Sequence, residues 1–154
     1  MQKCILPTGY TFMEADRITQ KIIEKGKRVG SRNPQEYRLL HRKLSHSSRK
    51  DTFFGLISVF QQPLDADAVF PCQELAGRLL LGLKPKCYLE PEQIIESVLE
   101  TYNASIEELP WYLAEKHGIE TVLDAIEQVE SKPISDRGKK VLNTFRYWLQ
   151  SYNK

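Results

Sequence analysis

Apolar residues recur at three- and four-residue intervals along most of this chain, and Pro, Gly or Ser clusters interrupt them at regular distances. That is the pattern of successive amphipathic helices. It is clearest from Leu89 to Tyr152. Pro91 stands at a first-turn position, and Ile94, Ile95, Val98, Leu99 and Tyr102 make one stripe. Ser105 with Glu108 has the spacing of a capping box, in which hydroxyl and carboxylate each satisfy an orphan backbone N–H. Pro110 falls early enough in that helix to be tolerated or to bend it, and Gly118 ends it. Ile119, Val122, Leu123 and Ile126 form a third stripe, closed by Ser131-Lys-Pro. The last helix carries Val141, Phe145, Trp148 and Tyr152 on one face, with Leu142 and Leu149 beside it.

The first half reads similarly. Ala15, Ile18, Ile22 and Ile23 repeat at helical spacing, and Gly26 among Lys25, Lys27 and Arg28 has the composition of a helix C-terminus. Asn33 followed by Pro34 predicts an N-cap and a first helical position that needs no N–H. Asp51 is the expected cap of the next helix. Its Phe53, Phe54, Leu56, Ile57 and Phe60 are apolar on most of the circumference, which predicts a central position. Residues 66–83 make a further helix, where Gly77 allows close approach of a neighbour and Lys84-Pro-Lys marks the end.

No strand pattern is evident, so the expected class is all-α. About seven short helices, joined by connections short enough to make neighbours antiparallel, would pack as an irregular bundle or a short solenoid. Residues 1–154 read as a single domain, with an irregular lead-in over 1–12, basic helices over 13–50 and an acidic helical array over 51–152. Asp51-Thr-Phe-Phe-Gly-Leu-Ile-Ser-Val-Phe, Asp65-Ala-Asp-Ala-Val and Glu74-Leu-Ala-Gly-Arg-Leu-Leu-Leu-Gly-Leu together resemble the helix, acidic turn and second helix of a HEAT-like repeat. The pairs at 91–117 and 119–152 match that unit in helix length only. The resemblance implies a protein-binding scaffold and carries over no functional residue.

Composition fits this class. The chain has 41% hydrophobic and 27% charged residues over 154 positions, the balance of a soluble globular protein. No apolar run approaches the ~20 residues of a membrane span. The start, Met1-Gln-Lys-Cys-Ile-Leu-Pro, lacks a signal-like apolar region, so a cytoplasmic protein is expected. Cys4, Cys72 and Cys87 form no Cys-x-x-Cys pair, which predicts reduced thiols, with Cys72 a small buried hydrophobe.

Charge changes the picture more. The net charge is +2, yet residues 1–50 hold 12 Lys/Arg against 4 Asp/Glu and the remainder holds 10 against 16. The two parts therefore stand at +8 and −6. The basic segment 17–50 could face nucleic acid through Arg17, Lys21, Arg28, Arg38, Arg42 and Lys43, with Tyr37 as a stacking platform. The helix pair 105–129 cannot read DNA: its second helix has no Lys or Arg and bears Glu120, Asp124, Glu127 and Glu130.

Motifs for chemistry are lacking. His41 and His46 are five apart and fall on different helical faces, and neither a zinc pattern nor a phosphate-cradling Gly loop occurs. The cysteines have no His nearby in sequence, and His117 before Gly118 reads as a cation at a helix end. His41, Asp51 and Glu108 are generic acid–base candidates only. No catalytic residue, metal or cofactor is assigned. Leu109-Pro-Trp-Tyr-Leu either wedges between helices or offers Trp111 and Tyr112 as interface anchors.

The sequence thus predicts a small non-catalytic interaction module, such as an adaptor, assembly factor or immunity-type protein. Its acidic helical surface of Glu107, Glu108, Trp111, Tyr112, Glu115 and Asp124 would bind a basic protein partner. A nucleic-acid-binding protein working through 17–50 is the alternative, and an enzyme without a recognisable motif is the second.

Overall fold

Eight α-helices and no strand are present among the residues that the computed structural model describes, 13–30 and 32–152. They are α1 (Met13–Val29), α2 (Pro34–Ser45), α3 (Arg49–Gln61), α4 (Ala66–Leu83), α5 (Pro91–Ser97), α6 (Glu108–His117), α7 (Ile119–Glu130) and α8 (Asp136–Ser151). The all-α class holds, with eight helices against about seven expected. The lead-in over 1–12, Cys4 included, lies outside the described residues.

α3 is the centre. Phe53, Phe54, Leu56, Ile57, Val59 and Phe60 are all fully buried, as an apolar circumference requires. α1 packs across α3 and α4, and α2 rests on α4. Beyond them α4 packs on α6, α5 on α7, and α6 and α7 on α8. The even-numbered helices therefore meet in chain order, α2 on α4, α4 on α6, α6 on α8. The eight helices form a bundle, with α1 and α2 packed toward one end and α7 and α8 toward the other.

Two expected close approaches are present, one at an unexpected place. A Cβ on Gly77 would lie 2.6 Å from Glu108 Cβ, so this glycine seats α6 on α4. Gly26 does not end α1. It lies inside the helix, where a Cβ would stand 2.9 Å from Cys72 Cα, and Gly30, at φ +78°, terminates the helix by returning its N–H to the Gly26 carbonyl.

Caps follow the sequence where the chain is local and depart from it where tertiary contacts intervene. Asn33 Oδ1 accepts from Glu36 N at 3.1 Å, with Pro34 as the first helical residue. Ser48, not Asp51, caps α3: its Oγ accepts from Asp51 N at 3.0 Å and donates to the Asp51 carboxylate. α5 stops at Ser97, although the apolar stripe runs on to Tyr102. Gln73 of α4, fully buried, donates to the Thr101 carbonyl and accepts from Asn103 N, while the Thr101 hydroxyl donates to the Phe60 carbonyl. These bonds hold residues 101–103 out of the helix. The Ser105–Glu108 capping box does not form. Ser105 N donates to Asn103 Oδ1, and α6 begins only at Glu108, whose side chain is packed on Gly77.

Candidate functional site

The expected acidic surface is dispersed by packing. Glu108 is 8% exposed and Tyr112 is fully buried, its hydroxyl donating to the Pro85 carbonyl at 2.7 Å. Neither can touch a partner. Trp111 is half-buried and its indole N–H donates to the Trp148 carbonyl, so it wedges α6 against α8. Glu107 is half-buried. Glu115 is exposed but already engaged by Lys84 Nζ at 3.1 Å and by the Tyr152 hydroxyl, which hold its carboxyl below the usual range. Asp124, on α7, is exposed and carries no ion pair. Three further carboxylates of this half are paired in the same way: Lys132 bridges Glu92 and Glu96, and Arg146 grips Glu130 at 2.7 Å. Glu120, Asp124 and Glu127 keep an acidic outer face on α7, with no large hydrophobic residue exposed among them.

The cations of the first hairpin are arranged differently. α1 presents Glu14, Arg17, Ile18, Lys21, Ile22 and Lys25 at helical spacing, and α2 presents Glu36, Leu39, Leu40 and Lys43 in the same way. The two helices run antiparallel, tied at their connected ends by Lys25 and Glu36 at 3.1 Å. α2 is anchored elsewhere: the Tyr37 hydroxyl donates to the Arg78 carbonyl of α4 at 3.0 Å. Gly82 makes room for that hydroxyl. Because α4 holds each helix more closely than they hold one another, an open groove remains between α1 and α2.

Its base is apolar, from Ile18, Ile22, Leu40 and Leu44; its rim carries Lys21, Arg42, Lys43 and His46, together with the ion pairs Arg17–Glu14 at 2.8 Å and Lys25–Glu36. Among the described residues no carboxylate lies within ion-pair distance of Lys21, Arg42 or Lys43. Lys21 and Lys43 line the groove together, and the neighbouring Lys43 ammonium, more than burial, pushes the Lys21 pKa down. Leu39 stands on the rim 57% exposed; among the described residues only Phe70 and Tyr147 are comparably exposed large hydrophobics. Four of the six cations singled out from sequence thus meet here. Arg28 lies instead at the end of α1, 4.0 Å from Glu24, and Arg38 is exposed on α2 away from the groove lining. Tyr37 is no stacking platform, since its ring faces α4 beneath the Arg78 guanidinium, 4.7 Å away.

One contact had no signal in the sequence. His117 Nε2 lies 3.4 Å from Cys87 Sγ, across 30 residues of chain. Burial raises the thiol pKa and lowers that of the imidazole, so the pair is neutral, not a thiolate beside an imidazolium. The expected cation at the end of α6 is therefore absent at His117. With Cys87 Sγ also donating to the Leu89 carbonyl, and Lys116 Nζ to the Lys84 carbonyl, this pair clasps loop 84–90 to α6. His41, Asp51 and Glu108 do not converge: His41 lies against Tyr37, Asp51 is bonded to Ser48, and Glu108 is against Gly77. Among the described residues no group of three or more His, Cys, Asp or Glu side chains could hold a metal ion. No helix among them is long and apolar enough to cross a membrane.

The chain matches no protein-family model, no curated protein and no solved structure.

Proposed function

We propose that this protein is a small non-catalytic protein-interaction module whose docking surface is the basic groove between α1 and α2, and that its partner is acidic. The observation that carries this reading is an apolar-based groove rimmed by Lys21, Arg42 and Lys43, none of which has a carboxylate partner among the described residues. Cations left unpaired within the molecule remain available to a partner, and they steer its approach. Of the acidic residues expected to bind a basic partner, Glu108 is buried and Glu115 is held by Lys84, so the reading favours an acidic partner instead. A cytoplasmic setting belongs to this reading, in keeping with the free thiols of Cys72 and Cys87.

Polyglutamate, polylysine and about 20-nucleotide oligonucleotides, followed by fluorescence anisotropy at about 50 mM and about 150 mM salt, test it. Polyglutamate should bind at the lower salt, and the double variant Lys21→Glu/Lys43→Glu should lose that binding. Preferential binding of an oligonucleotide would move the protein to the nucleic-acid class. Polylysine binding abolished by reversing Glu120, Asp124 and Glu127 would reinstate an acidic face.

A further inference from the structure

We infer that the segment received by this groove is an amphipathic α-helix, apolar along one stripe and acidic on its flanks, lying lengthwise between α1 and α2. The inference rests on the reading above and specifies the shape and pattern of the partner.

The groove has the dimensions of a helix seat. Its α1 wall runs from Glu14 to Lys25, twelve residues and about 17 Å at 1.5 Å per residue. Both walls are rows of side chains spaced three and four apart, the ridges into which a third helix packs. Leu39, in addition, is left exposed on the rim.

Charge and pattern then decide between occupants. An incoming helix with Leu or Ile at helical spacing would cover Leu39 and the outer edge of Ile18. Glu or Asp on either side of that stripe would reach Arg17 and Lys21 on one wall and Arg42 and Lys43 on the other. One carboxylate between Lys21 and Lys43 would relieve two neighbouring ammonium groups. A nucleic acid would satisfy the cations but leave Leu39 uncovered, and no aromatic ring lines the groove for its bases. A peptide added as a strand would need a free sheet edge, and one bound as a polyproline helix an aromatic-lined groove; the described residues contain no strand and no Phe, Tyr or Trp ring among the groove lining.

A synthetic peptide of about 15 residues tests this, with Leu at i, i+3, i+4 and i+7 and Glu elsewhere, set against a permuted peptide of the same composition. Polyglutamate and an oligonucleotide complete the series. The amphipathic peptide should bind about tenfold or more tightly than the permuted one, and its circular dichroism should gain helix on binding. Leu39→Ser, at an exposed position, should erase that difference, whereas Arg38→Ala, away from the groove lining, should preserve it. Equal binding of the two peptides would overturn the helical occupant and leave the acidic-partner groove standing. Tighter binding of the oligonucleotide than of the amphipathic peptide would overturn it too. No binding of any acidic probe would overturn the groove itself.

Discussion

The α1–α2 hairpin and the α5–α8 array carry opposite charge, and each pairs part of it within the chain; in the hairpin Arg17, Lys25 and Arg28 meet Glu14, Glu36 and Glu24. The sharper difference lies in where the unpaired charge stands. In the array, Glu92, Glu96, Glu115 and Glu130 are bound by Lys132, Lys84 and Arg146 of the same chain. In the hairpin, Lys21, Arg42 and Lys43 surround an open groove with no carboxylate partner among the described residues. A count of charges along a chain measures its polarity; only the pairing identifies which charges are free to act. Each region also exposes one large hydrophobic residue, Leu39 among the unpaired cations of the hairpin and Tyr147 on α8, while the acidic face of α7 exposes none.

The largest effect should come from the element both regions share. Phe60→Ala removes a ring that is fully buried and stacks 5.9 Å from Tyr102, and should cost about 3–5 kcal/mol in chemical denaturation. Loss of one region alone, with the other still folding cooperatively, would show that α3 does not couple them.

Two glycines separate the regions. Gly26→Ala forces a methyl against Cys72 backbone, and Gly77→Ala forces one against Glu108 Cβ. Each should destabilise by about 1–3 kcal/mol. Hydrogen exchange should accelerate first in α1 for the former and first in α6 for the latter; identical exchange patterns would contradict the division. Removing the α2 cap with Asn33→Ala should cost about 1 kcal/mol, and the added exchange should be confined to the first turn of α2.

Glu108 gives the array a pH dependence on the acidic side of neutrality. Burial raises its pKa above the ordinary 4.5, so the folded state holds this proton more tightly than the unfolded state. Its contribution is then fully present below about pH 4.5 and lost as pH rises through the folded pKa. Glu108→Gln keeps a neutral side chain of the same size. The melting temperature of the variant should gain on that of the natural protein between about pH 4 and about pH 7, and a constant difference across that range would refute the burial argument.

The smallest effect sharpens the comparison most. Lys43→Met should leave the melting temperature unchanged or raise it, because Lys43 meets Lys21 and no carboxylate. Arg146→Met should lower it, because Arg146 holds Glu130. Parallel losses in the two variants would mean that the hairpin cations serve the fold after all.

Much of the helical layout was legible along the chain, since stripe spacing, the Asn33–Pro34 start and the Gly118 stop all depend on residues within one or two turns. The buried centre of α3 was legible for the same reason: a segment apolar all round has no face to give to water. The candidate groove was half legible. Arg17, Lys21, Arg42 and Lys43 were identifiable as a basic set, but nothing in their spacing shows that α4 holds α1 and α2 apart. The acidic face was misread because Glu108 and Tyr112 look polar in sequence and are buried by neighbours far along the chain, Gly77 and Pro85.

The sequence by itself determined the all-α class and the helices, whose periodicity and caps are local properties. Tertiary structure decided which helices stop early, as Gln73 does to α5, and which distant groups meet, as Cys87 and His117 do. It also decided which charges are spent inside the molecule. That choice depends on distances between elements, and a linear charge count carries no information about them.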